Sequence, residues 1–145
     1  MNPNPLQGLR VLDLTRVLAG PLCAQYLGDM GADVIKIEDT ETGDECRGWP
    51  VFRETAGGDR TSTGFLGVNR NKRAIAVDLK SAQGRALIHR LAAQADVVIE
   101  SYTPGVAARL GVDAATLRAL NPRLVHCSIT GFGNQGPLQR GKGYD

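Results

Sequence analysis

The clearest pattern in the chain runs from Leu9 to Glu38, where the spacing of apolar positions changes twice. Val11, Leu12 and Leu14 make a short apolar run bounded by Arg10 and Thr15, as a buried strand would. A turn follows at Val17-Leu18-Ala19-Gly20-Pro21, and then Leu22, Ala24, Tyr26, Leu27 and Met30 recur at roughly helical spacing. Gly31 stands where a helix C-terminal glycine would stand, and Val34-Ile35-Lys36-Ile37 restarts a strand. Strand, turn, helix, strand is a right-handed βαβ unit, and it presents its first strand-to-helix turn to ligands.

The alternation continues downstream. Residues 39–58 begin acidic and then carry Gly43, Gly48, Pro50, Gly57 and Gly58, which predicts a long surface excursion of the kind that carries function. Ala74 to Val77 reads as a strand, and Ser81 as the N-cap of a helix with Ala86, Leu87, Leu91 and Ala92 on one face. Asp96 to Glu100 is the next buried strand. Pro104 opens a short helix that reaches Leu110 and ends at Gly111. Asp113 caps a second helix, Ala114 to Leu120, which Asn121-Pro122 stops; Leu124 to Ile129 is a strand, and Thr130 to Asp145 a glycine-rich loop. Continuous apolar strands alternating with amphipathic helices predict an α/β fold, a Rossmann-like doubly wound parallel sheet covered on both faces.

Composition narrows this only a little. A compact domain of 145 residues buries roughly 68–70% of its unfolded surface. The net charge of +2 gives no whole-chain reason to expect nucleic acid or membrane as a partner. Locally the balance differs: Arg60, Arg70, Lys72, Arg73, Lys80, Arg85 and Arg90 face the single acid Asp78. Arg70, Lys72 and Arg73 crowd into one short loop, so the reading divides between a solvated helix face and an anion-facing patch. Cys23, Cys46 and Cys127 lack CxxC spacing, which predicts reduced thiols in a cytoplasmic protein and neither a disulfide scaffold nor a metal site. Met1 to Pro5 lack the basic and apolar regions of a secretory leader, and no apolar run approaches a membrane span.

Several stretches could carry chemistry. Gly131-Phe132-Gly133-Asn134-Gln135-Gly136 matches the dinucleotide fingerprint GxGxxG, but Pro137 follows at once and no helix is available to meet a pyrophosphate. No Walker A sequence is present. His89 lies mid-helix and His126 inside a strand, neither with a serine or cysteine partner that the sequence nominates. Tyr144-Asp145, Arg109 and Lys142 fall after strands, where ligands of parallel sheets bind.

Taken together, Leu9 to Glu38, Asn71-Lys72-Arg73 with Val77-Asp78-Leu79-Lys80, Asp96 to Gly105, Leu117 to Pro122 and Gly131 to Asp145 resemble the N-terminal portion of the class III CoA-transferase family. That family includes formyl-CoA and carnitine CoA-transferases and the related α-methylacyl-CoA racemases. The resemblance spans nearly the whole chain, with separated motifs in the right order. It implies that Val17, Leu18 and Ala19 line coenzyme A, that Val77 to Lys80 and Ser101-Tyr102-Thr103 flank its adenine and ribose, and that Arg109 meets a phosphate. Lys142 matches a CoA-contacting lysine, and Tyr144 and Asp145 would lie beside the acyl end. Two positions depart from the family pattern: Asp39 stands where some members have a basic residue, and Ser101 where others have asparagine.

By the same resemblance, an aspartate attacks an acyl-CoA thioester, forms a mixed anhydride and then an aspartyl-CoA thioester, and passes CoA to a free carboxylate. That aspartate would lie downstream of Asp145. Tyr144 occupies the position of the racemases' catalytic histidine. A phenol with an ordinary pKa near ~10 is poorly suited to that proton abstraction, so transferase is favoured over racemase. A non-catalytic CoA- or nucleotide-binding module is the remaining alternative. The family further implies that residues 1–145 are the CoA-binding N-terminal part of a large domain, that a small domain and a C-terminal return lie outside this chain, and that the intact enzyme is an interlocked homodimer. The 145-residue chain alone is therefore expected to transfer no CoA between an acyl-CoA and a free carboxylate. Detectable transfer by the purified chain would overturn that expectation.

Overall fold

Strand β1 (Arg10–Leu14) buries four of its five residues because both faces of the sheet are covered there. Leu12 and Leu14 enter one apolar cluster and Val11 enters the other, the two-residue period expected of a central strand. The computed structural model describes residues 4–54, 57–141 and 143. After β1 come α1 (Ala19–Asp29), β2 (Asp33–Glu38), a 3₁₀ turn (Glu45–Gly48), and a hairpin of β3 (Phe52–Glu54) and β4 (Arg60–Ser62). Then follow α2 (Thr63–Asn69), β5 (Lys72–Ala76), α3 (Ala82–Ala92), β6 (Val97–Glu100), α4 (Val106–Leu110), α5 (Ala114–Leu120) and β7 (Val125–Ser128).

The main sheet is wholly parallel, in the order β5-β2-β1-β6-β7, with Leu12 opposite Ile35 on one side and Val98 on the other. The chain walks outward from β1 through β2 to β5, then returns to the other side of β1 for β6 and β7. This reversal between β1 and β6 is the switch point of a doubly wound, Rossmann-like fold. One face carries α1, with Ala24 packed on Val11, Val34 and Ile99. The opposite face carries α3, α4 and α5, whose Ile88, Ala92 and Leu117 pack on Leu12, Leu14 and Val98. Leu117 is fully buried, and burial of this kind contributes about 1.5–3 kcal/mol per side chain. The edge strands are more open: in β5 the stretch Arg73 to Ala76 is exposed, as is Val125 of β7.

The caps follow the sequence closely. Ser81 Oγ accepts from Gly84 N–H at 2.9 Å, Asp113 accepts from Ala115 and Thr116 N–H, and Gly111 ends α4 in the left-handed conformation at φ +69°. Elsewhere the structure corrects the sequence reading. Helix α1 starts at Ala19 rather than Leu22, so Pro21 sits in its first turn, where a missing N–H is harmless. Residues 39–58 are not wholly a surface excursion, because Asp44 and Cys46 are buried beneath the β1–α1 turn. Thr63 to Asn69 is a helix, capped by Ser62, that the glycine-broken apolar pattern did not reveal. Arg70, Lys72 and Arg73 make no anion-facing patch: each already has a carboxylate partner, Asp29, Asp13 and Asp33 respectively.

Two of the ion pairs are nearly inaccessible to water, and they hold the turn that leaves β1. Lys72 Nζ lies 2.8 Å from Asp13 Oδ2 and also donates to the carbonyl oxygens of Pro21 and the Asn69 side chain. Asp13 Oδ1 accepts from the N–H of Thr15 at 3.0 Å and from its hydroxyl. Lys36 Nζ lies 2.7 Å from Asp44 Oδ2 and donates to the Thr15 carbonyl at 3.0 Å. A third pair extends the system, with Arg47 in a two-pronged contact to Glu38. Burial opposes ionisation of Asp44, but Lys36, the Cys46 thiol and the Val17 N–H outweigh it and hold the pKa below the ordinary value. Burial likewise opposes ionisation of Glu38, and the Arg47 guanidinium outweighs it.

Replacing Lys72 by Met leaves Asp13 buried without its counter-charge, and urea unfolding is expected to show a loss of about 3–5 kcal/mol. Both Asp44 and Glu38 have folded-state pKa values below their unfolded ones. Their contribution is thus complete above the ordinary carboxylate range near ~4 and is lost as pH falls through the lowered values. Melting temperature should fall on acidification below about pH 4, and Asp44→Asn should flatten that part of the profile.

Candidate functional site

At the switch point the loops after β1 and β6 part, leaving an open cleft of about 1380 Å³ at the carboxyl edge of the sheet. One wall is the turn Arg16 to Gly20, with the start of α1. Gly20 is required there, because a Cβ at that position would collide with the Thr15 side chain. The facing wall is Ser101 to Pro104 with Val106, Arg109 and Leu110 of α4. The two walls join at their base, where Arg16 N–H donates to Ser101 Oγ at 3.2 Å. Ile129, Thr130 and Gly131 from the loop after β7 close one end, and Trp49, Lys80 and Arg85 stand on the rim.

Of the sequence-derived site residues, Val17, Leu18, Ala19, Lys80, Ser101, Tyr102, Thr103 and Arg109 all line this one cleft. Val77 is mostly buried at the end of β5 and borders a smaller adjoining cavity of about 50 Å³, which shares Arg16, Lys80 and Tyr102 with the cleft. Lys142, Tyr144 and Asp145 lie outside the described residues. Sequence reasoning did not nominate Arg16, Trp49 or Arg85. Arg85 could have been found, since it falls one turn after the Ser81 cap; its guanidinium donates to the Lys80 carbonyl at 2.8 Å. Trp49 had no such signal, because a folded excursion brings it to the rim.

Charge along the cleft is one-sided. Arg16, Lys80, Arg85 and Arg109 are set against Asp39, the one acid among the described lining residues. Asp39 is itself engaged by the N–H groups of Glu41 and Thr42. A concave surface of this kind concentrates positive potential and favours an anion. Burial pushes the Tyr102 phenol up to about 12, against the influence of nearby Arg16, so its hydroxyl stays protonated and neutral across the physiological range. Opposite it, Val17, Leu18 and Ala19 offer an apolar strip. The cleft thus suits a long ligand with a multiply anionic end and a less polar arm.

Nucleophilic chemistry is not assembled among the described lining residues. His89 and His126 hydrogen bond the carbonyls of Gly111 and Val112, at 2.7 and 3.1 Å, so both brace the α4–α5 turn and neither lines the cleft. The thiols are free of disulfides; Cys46 is buried beside Asp44 and pushed up to about 12, and burial raises Cys23. Among the described residues the glycine-rich segment after β7 opens no helix, so the GxGxxG match has no helix N-terminus behind it. No described helix is long and apolar enough to cross a membrane.

Comparison with known proteins agrees with this architecture. The chain is 52% identical over 143 residues to a succinate–glutarate CoA-transferase of Agrobacterium fabrum, a match covering 97% of this chain and 36% of that protein. It is 46% identical to the human succinyl-CoA:glutarate CoA-transferase, over 99% of this chain and 32% of the relative. The chain therefore spans about a third of the length of the curated relatives it matches. A crystal structure of a CAIB/BAIF family protein from Brucella suis superposes with a TM-score of 0.93 at 48% identity, covering 99% of this chain and 38% of that one. The family model for CoA-transferase family III matches residues 6–145, and the chain belongs to that family.

Proposed function

We propose that the chain is the CoA-binding part of a transferase that moves CoA from an acyl-CoA thioester to a free carboxylate. The observation that carries the reading is the pairing of four cationic side chains with an apolar strip in one cleft, in a chain of this family. CoA has the matching form: a phosphorylated nucleotide at one end and a thin pantetheine arm leading to the thioester. Arg109, Lys80, Arg16 and Arg85 would take the phosphates, Arg109 through its planar fork of donors. Val17, Leu18 and Ala19 would line the arm, and Ser101, Tyr102, Thr103 and the Val77–Lys80 corner would flank adenine and ribose. Lys142 would add a further cation from the final loop.

The carboxylate that would carry the acyl group and then CoA is assigned downstream of Asp145, so these residues bind and orient without exchanging bonds. Tyr144 and Asp145 are assigned to the acyl end. Relatives named for succinate and glutarate favour short dicarboxylic acids as donor and acceptor. The transferase reading is preferred to racemase because those relatives are named CoA-transferases and because a tyrosine occupies position 144. Residues 1–145 would form the N-terminal part of a large domain in an interlocked homodimer in the cytoplasm.

Calorimetric titration of the chain with free CoA tests the binding role. CoA should bind, and Arg109→Ala should weaken it by roughly ten- to a hundred-fold, the worth of a charge-assisted hydrogen bond. Equal affinity for both proteins would remove Arg109 from the phosphate role.

A further inference from the structure

The apolar wall of the cleft includes a residue in a conformation it does not favour. Val17 has φ +72°, in the left-handed region that a β-branched side chain resists. Something must hold it there, and the nearest polar contact identifies what. The Val17 N–H donates to Asp44 Oδ1 at 3.1 Å, across twenty-seven positions of sequence. Asp44 is itself immobilised. Its own N–H donates to Glu38 Oε2 at 3.0 Å, its Oδ1 also accepts from Cys46 N–H at 3.2 Å, and its Oδ2 lies 2.7 Å from Lys36 Nζ. Lys36 reaches back to the same turn through the Thr15 carbonyl at 3.0 Å. Thr15 and Val17 are thus gripped from below by the two ends of one buried ion pair, both of whose side chains are 1% exposed.

We infer that Asp44, held by Lys36, is a positioning residue for the cleft: it locks Val17 in the left-handed turn and so sets the wall against which the ligand arm would lie. This inference rests on the CoA reading for its functional consequence and on the turn geometry for its structural one. The pair touches no ligand in this scheme. Its effect on binding passes through the backbone of Val17, so it should depend on what residue stands at position 17. Glycine accepts positive φ without a Cβ penalty, and a turn that no longer resists its conformation no longer needs the clamp.

The test has two readouts on the 145-residue chain. The first needs no ligand: scalar couplings in isotope-labelled protein report φ of residue 17. Val17 should be left-handed in the parent and should leave that region in Asp44→Ala, which removes the oxygen that accepts the Val17 N–H; retention of the left-handed value in Asp44→Ala would overturn the inference. The second is a double-mutant cycle on CoA affinity. Asp44→Ala should weaken CoA on the order of ten-fold with Val17 in place, the scale that left-handed strain can drive. In a Val17→Gly background the same substitution should cost less than about two-fold. Equal losses in both backgrounds would reduce Asp44 to general support and overturn the inference. If Asp44→Ala does not fold, Lys36→Met/Asp44→Leu removes both charges together, a change that buried pairs often tolerate, and both readouts apply to it unchanged. Failure of the parent to bind CoA would refute the CoA reading and leave the coupling measurement to decide the clamp.

Discussion

Buried charge is the constraint on which this structure turns. Lys36 and Lys72 place ammonium groups under the β1–α1 turn where water does not reach, and Asp44 and Asp13 neutralise them there. Removing such ions from water is unfavourable by several kcal/mol each in real proteins, so the arrangement survives only when each partner is also hydrogen bonded. It is: the ammonium groups donate to backbone carbonyls at Thr15 and Pro21, and the carboxylates accept from backbone N–H groups at Thr15, Val17 and Cys46. Those backbone partners belong to the turn and to the segment tucked beneath it. The pairs therefore do something an apolar core cannot, which is to fix the path of a loop rather than merely exclude water.

That organisation ties distant parts of the chain to one wall of the cleft. Lys36 comes from the end of β2, Asp44 from the excursion after it, and Lys72 from the start of β5. The opposite wall is set differently. Glu100 Oε2 accepts the Tyr102 N–H at 2.7 Å at the end of β6, and the helix α4 that carries Arg109 ends in a glycine turn braced by His89. One wall rests on ion pairs and the other on capping and backbone bonds, and the bond from Arg16 N–H to Ser101 Oγ links them.

Much of this was legible in the sequence. Continuous apolar runs located β1, β2 and β6, which lie between the two clusters, and helical spacing located α3, which buries one apolar face. Ser81, Asp113 and Gly111 marked element ends by chemistry local to a few residues. Eight of the cleft-lining residues followed from the family resemblance, Arg109 also from its place after a strand. What escaped was non-local. Lys36 reads as a polar interruption of an apolar strand, Asp44 as one acid in a loop, and Arg70-Lys72-Arg73 as a basic run. Each acquires its meaning only from a carboxylate or ammonium more than five residues away, which spacing rules do not see. Helix α2 escaped for a related reason: Gly64 and Gly67 blur its periodicity, and its contact with α1 holds it in place.

The openness of β5 has a bearing on how such a chain behaves in solution. Among the described residues no strand pairs with its outer rim, and Arg73 to Ala76 lie exposed along it. An unshielded rim is a template on which another polypeptide can lay a strand, and short length and charge are the usual deterrents. Here the strand has five residues and carries the Arg73–Asp33 pair at one end, while Ala74, Ile75 and Ala76 at the other end carry no charge. Charge thus guards only the Arg73 end of that rim, and Ala74 to Ala76 are its less shielded half.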